Sequence, residues 1–254
     1  MPSASRCAAP EPRRAPDRLR APLLTDHRRA FWYSLLLLGS LAFVLVGVGR
    51  HPPAIAPHTT IPFLGRIDQR VYDRMQSIRF SVLSGLFRSL NVVGGGLVTI
   101  PVRIAASLVL ALRRQWRRFG AFVLTWAASE LALTLLKTFF HRGRPPHPLV
   151  ATVGFSFPSG HAVAGAATAV ALVLAFFQPG PRRRKWEWIA VAFSFLMAFS
   201  RVYLNAHWFF DVVSGVLLGA GIALGAAALS TEIAHTYLRR HGVAAGDQPP
   251  ADAG

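Results

Sequence analysis

Residues 200–211 read Ser-Arg-Val-Tyr-Leu-Asn-Ala-His-Trp-Phe-Phe-Asp and stand at the end of a long apolar segment. This stretch brings Arg201, His207 and Asp211 close together in the chain. If the segment around His207 continues as a helix, residues four apart share a face, and the Asp211 carboxylate reaches one imidazole nitrogen of His207. Such a carboxylate fixes the tautomer and leaves the other nitrogen as a base or nucleophile. An ordinary ion pair that caps the next helix is the alternative, and this stretch alone does not decide between them.

The composition around this stretch is that of a membrane protein. Hydrophobic residues make up 52% of the 254 positions, and long runs carry no charge, which is unusual for a soluble domain. The net charge of +17 does not indicate a nucleic-acid partner, because the Lys and Arg residues punctuate the apolar runs and form no basic patch. Cys7 is the one cysteine, which excludes an internal disulfide. The sequence therefore predicts an all-α membrane protein.

Six apolar segments predict membrane-spanning helices, since about 20 apolar residues cross the hydrocarbon layer. These segments are residues 31–49, 92–112, 121–140, 162–177, 186–204 and 212–235. Spans four and six contain small residues at four-residue spacing, which predicts close helix packing. These pairs are Ala162/Ala166, Gly215/Gly219 and Gly221/Gly225. We expect residues 31–240 to form one membrane domain between a disordered cytoplasmic arm, 1–30, and a disordered cytoplasmic tail, 241–254.

Residues 63–78 predict an amphipathic helix in the headgroup plane. The predicted apolar face consists of Phe63, Ile67, Val71, Met75 and Ile78. The predicted polar face consists of Arg66, Asp68, Arg70, Asp73 and Arg74.

Clusters of cations in the short connections set the orientation. They are Arg113, Arg114, Arg117 and Arg118, then residues 182–185, and finally Arg239 and Arg240. Together with the Arg-rich arm they predict a multi-pass protein of the plasma (inner) membrane with both termini cytoplasmic. The 50–90 segment, the 141–161 loop and the end of span five then face the periplasm or exterior.

Two charges fall inside apolar spans, where an unpaired charge is costly. Arg103 and Glu130 lie at similar distances from the loop between spans two and three, so an antiparallel hairpin places them at the same depth. The sequence predicts that they pair. The alternative is that Arg103 extends toward the interface and Glu130 faces a polar cavity.

Two further clusters lie near the ends of predicted spans on the outer side. Lys137 is followed by Arg144 and Pro145, and two cations on one rim suit a bound dianion. Ser159 and Gly160 precede the fourth span, where the free N–H groups of a helix start can hold a phosphate. Next to them, His161 can give a proton to a departing oxygen. Taken singly, Ser159 is better explained as a simple helix N-cap, Lys137 as a side chain that extends toward the interface, and Arg144 as an interfacial anchor.

The ordered set Lys137-x6-Arg144-Pro145, Pro158-Ser159-Gly160-His161 and Ser200-Arg201-x5-His207-x3-Asp211 resembles the tripartite signature of the type-2 phosphatidic acid phosphatase superfamily. The resemblance implies a phosphatase in which His207 attacks phosphorus to give a phosphohistidine. It further implies that Asp211 orients His207 and that His161 protonates the leaving alkoxide. The residues it implies as holding the phosphoryl oxygens are Lys137, Arg144, Ser159, Gly160 and Arg201.

The predicted function is hydrolysis of a lipid phosphate or pyrophosphate at the outer leaflet, without a cofactor or metal. The resemblance implies candidates such as undecaprenyl diphosphate, phosphatidylglycerol phosphate and phosphatidic acid, and the motifs do not choose among them. Two alternatives are a non-catalytic lipid-phosphate binding or transport protein and a relative of the vanadate-dependent haloperoxidases. Partners are the lipid substrate and the bilayer, and the sequence leaves the oligomeric state open.

Overall fold

The structure is a computed structural model that describes residues 23, 24, 26–49 and 59–240. Within these ranges the chain forms eight α-helices and no strand, so the predicted all-α fold is confirmed. In chain order the helices are α1 (His27–Val48), α2 (Pro62–Ser77), α3 (Ser81–Val93), α4 (Gly96–Leu112), α5 (Trp116–Phe140), α6 (Gly160–Phe176), α7 (Pro181–Tyr203) and α8 (Phe209–Arg240).

The long helix α8 is the central element, and it packs against α1, α5, α6 and α7. A Cβ atom built on Gly219 would lie only 2.5 Å from the carbonyl oxygen of Val163 in α6. Gly221 and Gly225 face side chains of α1 in the same way. The close packing predicted at the paired small residues is therefore confirmed, because the helix backbones approach where no side chain separates them.

Three helices of the described ranges, α1, α5 and α8, are long and apolar enough to cross a membrane. Helices α3 and α4 make a fourth candidate as a pair, bent by 42° at their junction. Helix α6 is apolar but has 17 residues, and α7 begins with a run of cations. Each predicted span coincides with a helix, as expected of an integral membrane protein, while the six-span topology stays a prediction.

Helix α1 begins four residues earlier than the predicted span. The carboxylate of Asp26 caps it by accepting a hydrogen bond of 3.0 Å from the Arg29 N–H. Leu23 and Leu24 are buried in a cluster with residues of α6 and α8. The predicted arm boundary at residue 30 is therefore too late, because this apolar surface exists only in the folded bundle. Disorder of 1–22, which include Cys7, and of 241–254 concerns residues outside the described ranges and stays a prediction.

The amphipathic segment is a helix, α2, but its buried face differs from the predicted one. Its buried residues are Leu64, Asp68, Tyr72 and Met75, while Phe63 is 56% exposed. Asp68 was predicted on the polar face and is 1% exposed. The reason is an ion pair with a buried arginine of the loop between α5 and α6. Helix α2 packs against α1, α7 and α8, and its position at the membrane interface stays a prediction.

The pairing of Arg103 with Glu130 is confirmed. The Arg103 guanidinium is 2% exposed and donates a hydrogen bond of 2.6 Å from Nη1 to Oε1 of Glu130. Its Nε donates to Oγ1 of Thr168 at 2.8 Å. Its Nη2 donates to the carbonyl of Ala164 at 3.4 Å. The charge therefore has partners in both α5 and α6, which makes it a cross-link among α4, α5 and α6.

Antiparallel connections divide the bundle into two chemically different ends. At one end, α5 and α7 stop and α6 and α8 begin. At the opposite end the predicted cytoplasmic arginines make cross-links: Arg118 donates to the carbonyl of Ala175 at 3.1 Å, and Arg183 donates to that of Leu23 at 2.5 Å. The three cation clusters therefore share one end of the bundle, and the other end is left for the candidate site.

Candidate active site

The eight predicted site residues all belong to the end of the bundle where α6 and α8 begin. Lys137 lies in the last turn of α5 and Arg201 in the last turn of α7. Gly160 is the first residue of α6, and Asp211 lies in the first turn of α8. The remaining members stand in the adjoining loops or next in sequence to these positions, and they are Arg144, Ser159, His161 and His207. One bundle end thus gathers residues from across about 75 positions of sequence.

His207 and Asp211 face each other, although not through a continuous helix. Helix α8 begins at Phe209, so the helical geometry considered for His207 is wrong. Nδ1 of His207 nevertheless lies 3.6 Å from Oδ2 of Asp211. The same carboxylate oxygen accepts the Trp208 N–H at 2.9 Å and the hydroxyl of Ser156. These donors fix the carboxylate beside Nδ1 of the imidazole.

The His207 ring is neutral, and its second nitrogen, Nε2, faces a cation. Burial is the largest cause that lowers the pKa of His207 to about 3; Asp211 opposes the shift, and Arg144 and Arg201 add to it. At neutral pH the ring is therefore uncharged. Its Nε2 lies 3.2 Å from Nη1 of Arg144. With the ring proton on Nδ1 facing Asp211, Nε2 has a lone pair available for attack.

Arg144 orders the loop around the ring. Its guanidinium donates to the carbonyls of Val153 at 2.8 Å, Gly154 at 2.9 Å and Ala206 at 2.7 Å. Lys137 donates to a neighbouring carbonyl of the same loop, that of Phe155, at 2.6 Å. These two cations are therefore brought to one loop, as the predicted dianion site requires.

Ser159, at the start of α6, is bonded to the start of α8. The Ser159 N–H donates to the backbone carbonyl of Asp211 at 3.0 Å. Among the described residues the Ser159 side chain makes no capping hydrogen bond to α6, which argues against the simple helix-cap interpretation. Gly160 follows with its Cα facing Leu133 of α5. The side chain of Ser159 is thus left for a role other than capping.

Asn91, near the end of α3, contacts both of the remaining site residues. Its backbone carbonyl lies 3.1 Å from Nε2 of His161, and its side-chain oxygen accepts a hydrogen bond from Nη1 of Arg201. His161 and His207 both interact electrostatically with Arg144 and Arg201. The two imidazoles therefore share the same pair of cations.

Sequence reasoning missed four contributors to this site. They are Asp68, Asn91, Arg142 and Ser156. Arg142 carried a weak signal, as a further cation inside the run from Lys137 to Arg144. For the other three, no spacing rule distinguishes a buried polar partner from an ordinary surface residue.

One group of side chains among the described residues could hold a metal ion, and it lies outside this site. It consists of His27, Glu232 and His235, with Nε2 of His27 3.2 Å from Oε2 of Glu232. These residues stand at the start of α1 and near the end of α8. The end of the bundle that carries the predicted site instead presents ammonium and guanidinium groups.

Comparison with known proteins decides the family. The family model described as "PAP2 superfamily" matches residues 118–233, a range that contains all eight predicted site residues. The undecaprenyl-diphosphatase of Sulfolobus acidocaldarius is 31% identical over 167 residues, which cover 62% of this chain and 74% of that protein. The chain belongs to the PAP2 superfamily. Phosphatidylglycerophosphatase B of Bacillus subtilis is also similar to this PAP2 protein, at 29% identity over 160 residues, 60% of this chain and 77% of that protein.

A solved structure shares the fold of this PAP2 protein. It is the crystal structure of the first transmembrane PAP2 type phosphatidylglycerolphosphate phosphatase from Bacillus subtilis. The match has a TM-score of 0.57 at 21% identity and covers 85% of this chain and 98% of that one. The helical bundle described above is therefore a PAP2 membrane fold.

Proposed function

We propose that this PAP2 protein hydrolyses a lipid phosphate or pyrophosphate through a phosphohistidine on His207. The observation that carries the proposal is the environment of that ring. It is buried and neutral, its Nδ1 faces the Asp211 carboxylate, and its Nε2 faces the Arg144 guanidinium. A neutral nucleophile beside a cation meets an incoming phosphate without charge repulsion.

In the first step the lone pair on Nε2 of His207 forms a bond to phosphorus, and the bond from phosphorus to the lipid oxygen breaks. The positive charge that develops on the ring is stabilised by Asp211. The departing oxygen takes a proton from the imidazolium form of His161, whose Nε2 lies 3.1 Å from the Asn91 carbonyl. Burial and the neighbouring cations lower the pKa of His161 to about 4, so His161 would take up this proton as the phosphate dianion binds and offsets those cations. The lipid leaves as an alcohol, or as a monophosphate when the substrate is a diphosphate.

In the second step water attacks the phosphohistidine. His161, neutral after the first step, accepts a proton from that water as the new bond to phosphorus forms. The bond between phosphorus and Nε2 breaks, inorganic phosphate leaves, and both histidines return to their starting states.

The cations supply the charge neutralisation that phosphoryl transfer requires. Lys137, Arg144 and Arg201 already donate to oxygens of the protein, namely backbone carbonyls and the Asn91 side chain. Phosphoryl oxygens would take the place of some of these acceptors. The free N–H groups at the start of α6, from Gly160 onward, would add further donors.

A cavity beside the site suits the hydrocarbon tail. It has a volume of about 550 Å³ and lies between α4, α6 and α7, with apolar walls that include Val102, Leu172 and Phe193. Gly165, one helical turn from His161, lines its near end. A chain entering sideways from the bilayer would place its headgroup at the two histidines.

The proposed site faces the periplasm or exterior, and both termini are cytoplasmic. The meeting of the arginine clusters at the opposite bundle end supports this orientation. Cysteines placed one at a time at His147 and Arg182, in a Cys7→Ser background, test it with a membrane-impermeant maleimide. The expected result is labelling of the first in intact cells and of the second only after lysis; the reverse pattern would overturn the orientation.

Phosphate release in detergent micelles with EDTA tests the chemistry. The panel consists of undecaprenyl diphosphate, phosphatidylglycerol phosphate and phosphatidic acid. The wild type is expected to release phosphate from at least one of them, and His207→Ala to abolish release. His27→Ala, at the far end of α1, is the matched control and should retain activity. Release by His207→Ala would refute the assigned nucleophile.

A further inference from the structure

A buried arginine bridges two carboxylates behind the His207 ring. Nη1 of Arg142 donates to Oδ1 of Asp211 at 2.6 Å, and Nη2 donates to Oδ2 of Asp68 at 2.5 Å. Arg142 is 4% exposed, and both carboxylates are at most 1% exposed. One residue comes from α2, one from the loop before α6 and one from α8, so the bridge joins three separate segments.

The bridge determines which oxygen of Asp211 faces the histidine. Arg142 holds Oδ1, and Oδ2 accepts the Trp208 N–H and the Ser156 hydroxyl. With both oxygens bonded, the carboxylate cannot rotate without losing hydrogen bonds to charged or buried groups. Oδ2 is thereby kept at 3.6 Å from Nδ1 of His207.

Asp68 in turn keeps Arg142 in place. Its second oxygen accepts the N–H of Phe210 in the first turn of α8, at 3.0 Å. The carboxylate therefore ties α2 to the start of the helix that carries Asp211. The guanidinium also lies over the Trp208 ring, with its central carbon 5.8 Å from the ring centroid, which leaves it little freedom to move.

We propose that Arg142 and Asp68 are positioning residues that hold Asp211 against His207, and that α2 is thereby part of the active site. The inference rests on the proposed phosphohistidine chemistry. It changes the role of α2, which supplies a buried anchor for the catalytic carboxylate in addition to any contact with lipid. Neither residue belongs to the signature that the sequence shares with its family.

A bridge with a purely structural role would affect unfolding and leave the turnover of the folded enzyme unchanged. A positioning role predicts a different result. Loss of the bridge lowers kcat, since the ring loses its oriented carboxylate. It leaves KM nearly unchanged, since the phosphate is held by Lys137, Arg144 and Arg201. The separation of kcat from KM therefore distinguishes the two roles.

The pH profile gives a second distinction. Burial raises the pKa of Asp68 to about 6, with Asp211 adding to the shift, and Arg142 and the Phe210 N–H opposing it. As the pH falls below about 6, Asp68 gains a proton and its bond to Arg142 weakens. Wild-type kcat should then decline through this range, and Asp68→Asn, which resembles the protonated carboxyl, should lack that part of the decline.

The test compares Asp68→Asn and Arg142→Lys in the full-length protein in detergent. Asp68→Asn keeps the side-chain shape, and Arg142→Lys keeps the charge but cannot bridge both carboxylates. Because a displacement of about 1 Å near the chemistry can cost on the order of 100-fold in rate, Arg142→Lys should lose roughly that factor in kcat. Asp68→Asn should lose about tenfold, because the bond from Arg142 to Asp211 survives. KM should stay within about threefold in both.

Matched controls on α2 are Asp73→Asn and Arg70→Lys. Asp73 is exposed and accepts a hydrogen bond from Gln69, and Arg70 is exposed. Both controls should match the wild type in kcat and pH profile. If Asp68→Asn and Arg142→Lys also match it, the positioning role is overturned and the proposed function stands. If the wild type releases no phosphate from any substrate of the panel, the proposed function fails first.

Discussion

The close approach of α6 and α8 allows a sharp test of how packing supports the site. A Cβ added at Gly215 would lie 2.8 Å from the carbonyl oxygen of Ser159 and 2.7 Å from Cβ of Ala162. To reach an ordinary contact of 3.4 Å, α8 must move from Ser159 by about 0.6 Å. The obstructing atoms are a backbone oxygen and a Cβ, so no flexible side chain can absorb the shift.

Gly215→Ala should therefore cost both stability and activity. Overpacking of this kind costs about 1–3 kcal/mol, which corresponds to a fall in Tm of roughly 2–12 °C. The shift also moves Asp211, in α8, relative to Ser159 and Gly160 at the start of α6. A shift of more than half an ångström there should lower kcat/KM by about tenfold.

Two further glycines distinguish the effect of overpacking on Tm from its effect on kcat/KM. Gly219→Ala meets a backbone oxygen at 2.5 Å but lies one turn farther from the site, so its Tm should fall at least as much while kcat/KM changes less. At Gly120, in α5, an added Cβ has no heavy atom of the described chain within 4 Å. Gly120→Ala should keep or raise the Tm, because Ala favours a helix by about 1 kcal/mol over Gly. Equal Tm and kcat/KM for Gly215→Ala and Gly120→Ala would refute the packing argument.

Three other predictions follow from buried charges. Glu130→Gln removes the counter-charge of Arg103 inside the predicted spans, where an unpaired charge is costly, and should cost about 1–3 kcal/mol in thermal unfolding. Glu187→Gln breaks a pair of similar exposure, a buried arginine with a half-exposed glutamate, but within one helix, and should cost less than about 1 kcal/mol. Equal losses would contradict a stabilising cross-link between helices. Arg144→Lys cannot serve the carbonyls of 153–155 and the His207 ring together, so kcat/KM should fall by more than about tenfold; wild-type kcat/KM would remove that role. Folded His207 has a pKa of about 3, below the ordinary 6.5, so the unfolded chain binds an extra proton as the pH falls below about 6.5. Tm should then decline from pH 7 to pH 4, and His207→Gln should decline less; parallel curves would show that the ring is not held neutral.

The sequence predicted the helices well because each is defined by a long apolar period. All six predicted spans coincide with helices, and the pairing of Arg103 with Glu130 followed from counting residues along one hairpin. The start of α1 was missed because the burial of Leu23 and Leu24 depends on a surface formed by distant helices. Helix ends are thus set by tertiary contacts that a local pattern does not contain.

Residues of the candidate site could be proposed from the sequence where the chemistry demands a particular residue type, and not where geometry chooses among similar residues. His207, His161 and the three motif cations could be proposed because side chains able to act as nucleophile, acid or anion-binding group are few. Asp68 could not, because a carboxylate between arginines on an amphipathic helix has the pattern of a solvated face. Its burial becomes visible only when Arg142 is seen to reach it.

Arg142 and Arg144 show why the arrangement needs two arginines so close in sequence. Arg144 faces Nε2 of His207, where phosphate would bind, and Arg142 faces the carboxylate beside Nδ1. A cation near Nε2 favours the neutral ring, and a cation behind Asp211 keeps that carboxylate ionised. The two effects require charges on opposite edges of the His207–Asp211 pair, and one loop supplies both as it passes the ring. Placing both guanidinium groups at Nε2 would leave Asp68 and Asp211 as buried like charges without a counter-charge, so electrostatics requires one arginine on each side of the pair.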